Sequence, residues 1–78
     1  MNLRESLELG NIETRTYGME NKNTVSIEFQ YDEPDYKLLL ILKKEDRLLE
    51  VITQYCSTYE ELEAIASKEL HRYQNSEV

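Results

Sequence analysis

Asp32, Glu33 and Asp35 place three carboxylates within four residues around Pro34, a grouping that raises metal binding and paired acid–base work as possibilities to test. A calcium loop needs alternating acids, a central glycine and a terminal glutamate, and none of that framing surrounds these residues. A glycosidase-type pair needs a cleft that a chain of 78 residues hardly supplies. The three therefore read as solvated turn acids. His71 is the only histidine. It stands near the C-terminal end of a helical segment, where a cation suits the helix dipole, and no nucleophile or orienting carboxylate is marked beside it. Cys56 precedes a helix start, a position that can lower a thiol pKa. It has no basic neighbour and reads as a buried, inert side chain.

No Cys and His spacing suits zinc, and no glycine-rich phosphate loop, nucleophile elbow or dinucleotide fingerprint occurs. The expectation is a protein without catalytic residues, metal or cofactor. What remains is collective. Glu28 on a strand, the turn acids, and Glu60, Glu61 and Glu63 at a helix start would share one surface if that helix begins beside the turn. Carboxylates two residues apart on a strand project about 6.6 Å apart, so such an array presents charge somewhat as a phosphate backbone does.

The global charge agrees with that picture. Asp and Glu number 16 against 9 Lys and Arg, a formal net charge of −7. Nucleic-acid affinity comes mostly from Lys and Arg, so direct nucleic-acid binding is disfavoured, as is docking on an anionic membrane. A protein partner with a basic surface, such as a nucleic-acid-binding enzyme, fits better. One cysteine cannot form an internal disulfide, and the default setting is a reducing cytoplasm. The N-terminal residues lack the apolar stretch of a signal peptide, and the longest apolar run, residues 38–42, is far short of a bilayer span.

Few residues punctuate the chain, with only two Gly and one Pro. Leu3, Leu7 and Leu9 outline a short helix beginning near Asn2, stopped by Gly10-Asn11. Residues 12–19 are rich in β-branched and aromatic types without a clean apolar face, which suits an edge strand. It is joined through the polar turn 20–23 to a strand over 24–31. There Val25, Ile27, Phe29 and Tyr31 alternate with Thr24, Ser26, Glu28 and Gln30. After the turn at Pro34, residues 36–43 are apolar on both parities, as expected of a central strand covered on both sides. Residues 48–56 match helical spacing and strand alternation alike; their Val, Ile, Thr and Tyr content favours a fourth strand over roughly 45–55.

The last element is the clearest. Ser57 and Thr58 each stand three residues before a glutamate, giving overlapping capping boxes. Tyr59, Leu62, Ile65, Ala66, Leu70 and Tyr73 follow at helical spacing, and the tail 74–78 is expected to fray. The whole reads as one α+β domain over residues 1–78: a short N-terminal helix, an antiparallel meander of three or four strands, and a long C-terminal helix packed on the sheet.

Six tyrosines are many for this length, and tyrosine is enriched in interface cores. Tyr31, Tyr59 and Tyr73 suit packing, leaving Tyr17 and Tyr36 as surface anchors. The leading functional expectation is a non-enzymatic inhibitor whose acidic surface occupies a basic nucleic-acid-binding groove. Its size and charge parallel those of phage-encoded inhibitors, anti-CRISPR proteins among them, which would act in a host cytoplasm; that is an analogy and not a family resemblance. The alternative is a small adaptor that self-associates as a homodimer through the 12–19 edge or an apolar patch on 38–42, or that docks a partner by its tyrosines.

Overall fold

The computed structural model describes residues 2–19 and 22–74. The expected turn residues Glu20 and Asn21 and residues 75–78 of the expected frayed tail 74–78 lie outside the described residues, whereas Gln74 belongs to the C-terminal helix. The chain runs α1 (Leu3–Glu8), β1 (Glu13–Gly18), β2 (Asn23–Asp32), β3 (Asp35–Lys44), β4 (Arg47–Cys56) and α2 (Tyr59–Gln74). The four strands form an antiparallel meander in the order β1-β2-β3-β4.

Local chemistry sets the boundaries. Asn2 caps α1 by accepting from the Glu5 N–H at 2.9 Å. Gly10, at φ +94, closes the helix: its N–H donates to the Leu7 carbonyl and the Asn11 N–H to the Ser6 carbonyl, the pattern of a Schellman stop, where a left-handed residue favours glycine. Two turns of helix need anchoring. Leu7, fully buried, and the Ser6 hydroxyl, which donates to the Glu13 carboxylate, supply it. Leu9 does not join them and is exposed.

In the β2–β3 hairpin Asp32 pairs with Asp35 across Glu33 and Pro34, and the Glu33–Pro34 peptide is cis. Of the two candidate capping boxes at α2, the structure uses Thr58 with Glu61: the Glu61 N–H donates to Thr58 Oγ1 at 3.2 Å. The Glu61 carboxylate reaches back to accept from the Ser57 N–H, also at 3.2 Å.

Residues 48–56 resolve as strand, and the reason is their partner. β3 offers a continuous ladder from Tyr36 to Lys44, and β4 fills it with one irregularity opposite Leu42/Lys43. Ladder hydrogen bonds and cross-strand packing decide between two periodicities that the residues satisfy equally well.

Both helices lie on one face of the sheet. Val25, Ile27 and Phe29 of β2, Tyr36, Leu38, Leu40 and Leu42 of β3, and Cys56 of β4 form a single core with Leu7 of α1 and Leu62, Ala66 and Tyr73 of α2. Each fully buried Leu, Ile or Phe contributes roughly 1.5–3 kcal/mol by leaving water. Tyr73 also donates its hydroxyl to Glu50 Oε2 at 2.7 Å, tying the end of α2 to β4.

The opposite face of the sheet carries no helix among the described residues, which corrects the expectation that β3 is covered on both sides. Leu39 and Ile41 face away from the core and are half-buried by their strand neighbours only. The apolar run on both parities of β3 arises from two different environments, a packed core on one parity and an open sheet surface on the other.

Candidate protein-binding surfaces

Two surfaces stand out, one charged and one apolar. The charged one is the end of the molecule where the β2–β3 hairpin, the end of α1 and the start of α2 meet. It is held in place by β4, whose last residue, Cys56, pairs with Tyr36 just inside the hairpin and hands the chain to α2. Beneath it three rings stack across elements: Tyr31 and Tyr36 have centroids 4.8 Å apart, and Tyr36 meets Tyr59 edge-on at 6.1 Å. Such contacts contribute about 0.5–1.5 kcal/mol beyond burial, and they fix the hairpin against the helix start.

Asp32, Glu33 and Asp35 are carried by the hairpin, and Glu60 and Glu61 by the first turn of α2. Arg4 of α1 lies 3.3 Å from both Glu8 and Glu60, joining the helices through an exposed pair of contacts. The electrostatics show the same convergence. The Tyr31 hydroxyl is pushed up in pKa by desolvation first and then by Glu33, with Glu8 and Asp35 adding to it. The Cys56 thiol is pushed up by burial and then by Glu61 and Asp35. That direction keeps Cys56 as a thiol, as its inert reading requires; the thiol also points at the Thr58 carbonyl, 3.6 Å away.

Five of the nominated carboxylates, Asp32, Glu33, Asp35, Glu60 and Glu61, are thus brought to one end. Glu28 is not: it pairs with Leu39 and Thr14 on the open face, opposite the helices. Glu63 accepts from the Tyr59 hydroxyl at 2.6 Å, one turn along α2 and inside its own helix surface. The two nominated tyrosines are displaced as well. Tyr36 is only 7% exposed and belongs to the core, and Tyr17 is half-buried against it. Its place just after a turn suggests a surface position, yet Tyr36 pairs with Tyr31 and Cys56 on the parity of the sheet that faces the helices.

The exposed tyrosine is Tyr55, at 58%, on the apolar surface. There β4 presents Leu48, Leu49, Val51 and Tyr55, all exposed, beside Leu39 and Ile41 of β3. Val51 pairs with Ile41 on this face, and the bulge brings Leu48 and Leu49 opposite Lys43. Lys37 stands 6.0 Å over the Tyr55 ring. The sequence signal for this patch existed in the strand alternation of Leu49, Val51, Thr53 and Tyr55, masked by the competing helical spacing.

Among the described residues no group of three or more His, Cys, Asp or Glu is placed to hold a metal ion, and no helix is long and apolar enough to cross a membrane. No protein family, curated protein or solved structure matches this chain.

Proposed function

We propose that the chain is a non-enzymatic protein-binding domain whose acidic end occupies a basic surface on its partner, in competition with a nucleic acid that uses the same surface. The observation that supports this reading is the convergence of carboxylates from three separate segments, α1, the β2–β3 hairpin and the start of α2, over a floor of packed tyrosines. Charge presented on a fixed scaffold steers association and sets partner choice more than it adds raw affinity. Its reach is about 8 Å at physiological ionic strength.

The test is binding to a candidate basic partner, a nucleic-acid-binding protein, across a salt series, with the nucleic acid as competitor. Neutralising Asp32→Asn, Glu33→Gln and Asp35→Asn together is expected to weaken binding about tenfold or more. Glu28→Gln, on the opposite face, is expected to leave it unchanged. Binding indifferent both to salt and to the hairpin triple change overturns the proposal.

A second reading, a domain that self-associates, is favoured by the exposed apolar side chains of β4.

A further inference from the structure

The two edges of the sheet are finished differently. β1 is six residues long, and Glu13 and Arg15 stand on its helix-side face opposite Phe29 and Ile27. A short edge with inward-facing charges discourages further pairing. β4 is ten residues long. Its regular run, residues 50–56, holds Glu50 as the only charged residue, and that carboxylate is engaged by the Tyr73 hydroxyl on the helix side. The open side of the same run shows Val51, Thr53 and Tyr55 to solvent. Among the described residues nothing in the sheet lies beyond β4.

From these features we infer that β4 is a homodimer interface, pairing antiparallel with β4 of a second copy in a register centred on Thr53. That register sets Thr53 opposite the partner's Thr53 and Val51 opposite the partner's Tyr55 on the open face, with Ile52 opposite the partner's Gln54 on the other. Aromatic with β-branched and Thr with Thr are favourable cross-strand pairs, and a two-fold axis demands such self-complementarity. No like charges meet. The register also uses the whole regular run and leaves the bulge at Leu48 and Leu49 outside the ladder, where it would otherwise interrupt pairing.

Charge singles out the same edge. Two copies at −7 repel, but over β3, β4 and the turn between them, residues 35–56, Lys37, Lys43, Lys44 and Arg47 balance Asp35, Glu45, Asp46 and Glu50. The β3–β4 side is therefore neutral, and copies approach there with less repulsion than the net charge implies. Antiparallel pairing sends the two acidic ends in opposite directions, because β4 reaches the acidic end at Cys56. The dimer therefore stands independently of what the acidic end binds, and either can fail alone.

The full chain, 9.3 kDa, is expected to double its mass in a sedimentation series as concentration rises, and Val51→Lys with Tyr55→Lys, both at exposed positions, to hold it at the monomer mass with an unchanged circular dichroism spectrum. For the register, Thr53→Cys in a Cys56→Ser background is expected to form a disulfide-linked dimer on mild oxidation, since directly opposed residues in an antiparallel pair lie about 4.5–5.5 Å apart, within disulfide range. Thr16→Cys on β1, in the same background, is expected to remain uncrosslinked. A monomer up to about 1 mM, a dimer that crosslinks through Thr16→Cys, or a dimer that Thr53→Cys does not crosslink each overturns the inference.

Discussion

Adjacent residues of β3 make the sharpest test of the fold. Leu40 is fully buried, while its neighbour Ile41 is half-buried on the open face. Each substitution, Leu40→Ala and Ile41→Ala, deletes three carbons, worth about 2.4 kcal/mol of transfer free energy if fully buried, at roughly 0.8 per carbon. At Leu40 the packed core leaves a cavity and raises the cost to about 3–5 kcal/mol. At Ile41 about half of the transfer value applies and no enclosed cavity forms, giving about 1 kcal/mol. A domain of 78 residues has a total stability of about 4–12 kcal/mol, so Leu40→Ala should remove much or all of it. In urea melts followed by circular dichroism, at concentrations low enough to keep the chain monomeric, Leu40→Ala is expected to lose most of its midpoint. Ile41→Ala should shift modestly with an unchanged slope. Equal costs at the two positions would mean a second covering layer exists and would refute both the open face and the edge pairing built on it.

Other expectations concern α2 and its anchors. Thr58→Ala removes the acceptor of the Glu61 N–H and is expected to cost about 1 kcal/mol in the same urea assay. Ser57→Ala, which leaves the Ser57 N–H to Glu61 contact intact, should cost much less. The hydroxyls of Tyr59 and Tyr73 are each pushed up to about 12 from an ordinary 10, by desolvation first and then by their hydrogen bonds to Glu63 and Glu50. A raised folded-state pKa means the folded chain holds protons longer than the unfolded one. Stability from these groups is therefore complete below pH about 10 and is lost as pH rises toward about 12. Thermal melts between pH 9 and 12 are expected to fall in that window, and Tyr73→Phe should flatten the fall; an undiminished slope would show that the Glu50 contact does not govern it.

Much of the fold was legible because local and tertiary demands coincide. β2 alternates because one face meets the helices, and α2 carries its cap, its apolar stripe and its terminal charges in register with one another. Legibility failed where one residue pattern fits two environments. Residues 36–43 are apolar on both parities whether a strand is sandwiched or half open, and only the placement of both helices on one side decides which. The surface residues split for the same reason. Asp32, Glu33 and Asp35 were traceable because a turn exposes its residues wherever it lies. Glu28, Tyr17 and Tyr36 depended on sheet face and pairing, which spacing along one strand does not specify.

A net charge of −7 suggests a uniformly repulsive surface, and the fold shows why that average misleads. Antiparallel pairing of β3 with β4 makes one half of the sheet nearly neutral, with Lys37, Lys43, Lys44 and Arg47 offsetting Glu45, Asp46 and Glu50. The hairpin and the helix start concentrate Asp32, Glu33, Asp35, Glu60 and Glu61 at one end. Segregation makes two opposite behaviours compatible in one small domain. The acidic end can hold a basic partner through forces that salt weakens, while β4 can pair with its own copy through ladder bonds and apolar contacts on which salt acts little. Raising the ionic strength should therefore separate them, releasing the partner while leaving the dimer together. If salt instead dissociated both at once, charge would be holding the β4 contact, and the segregation argued from these positions would be wrong.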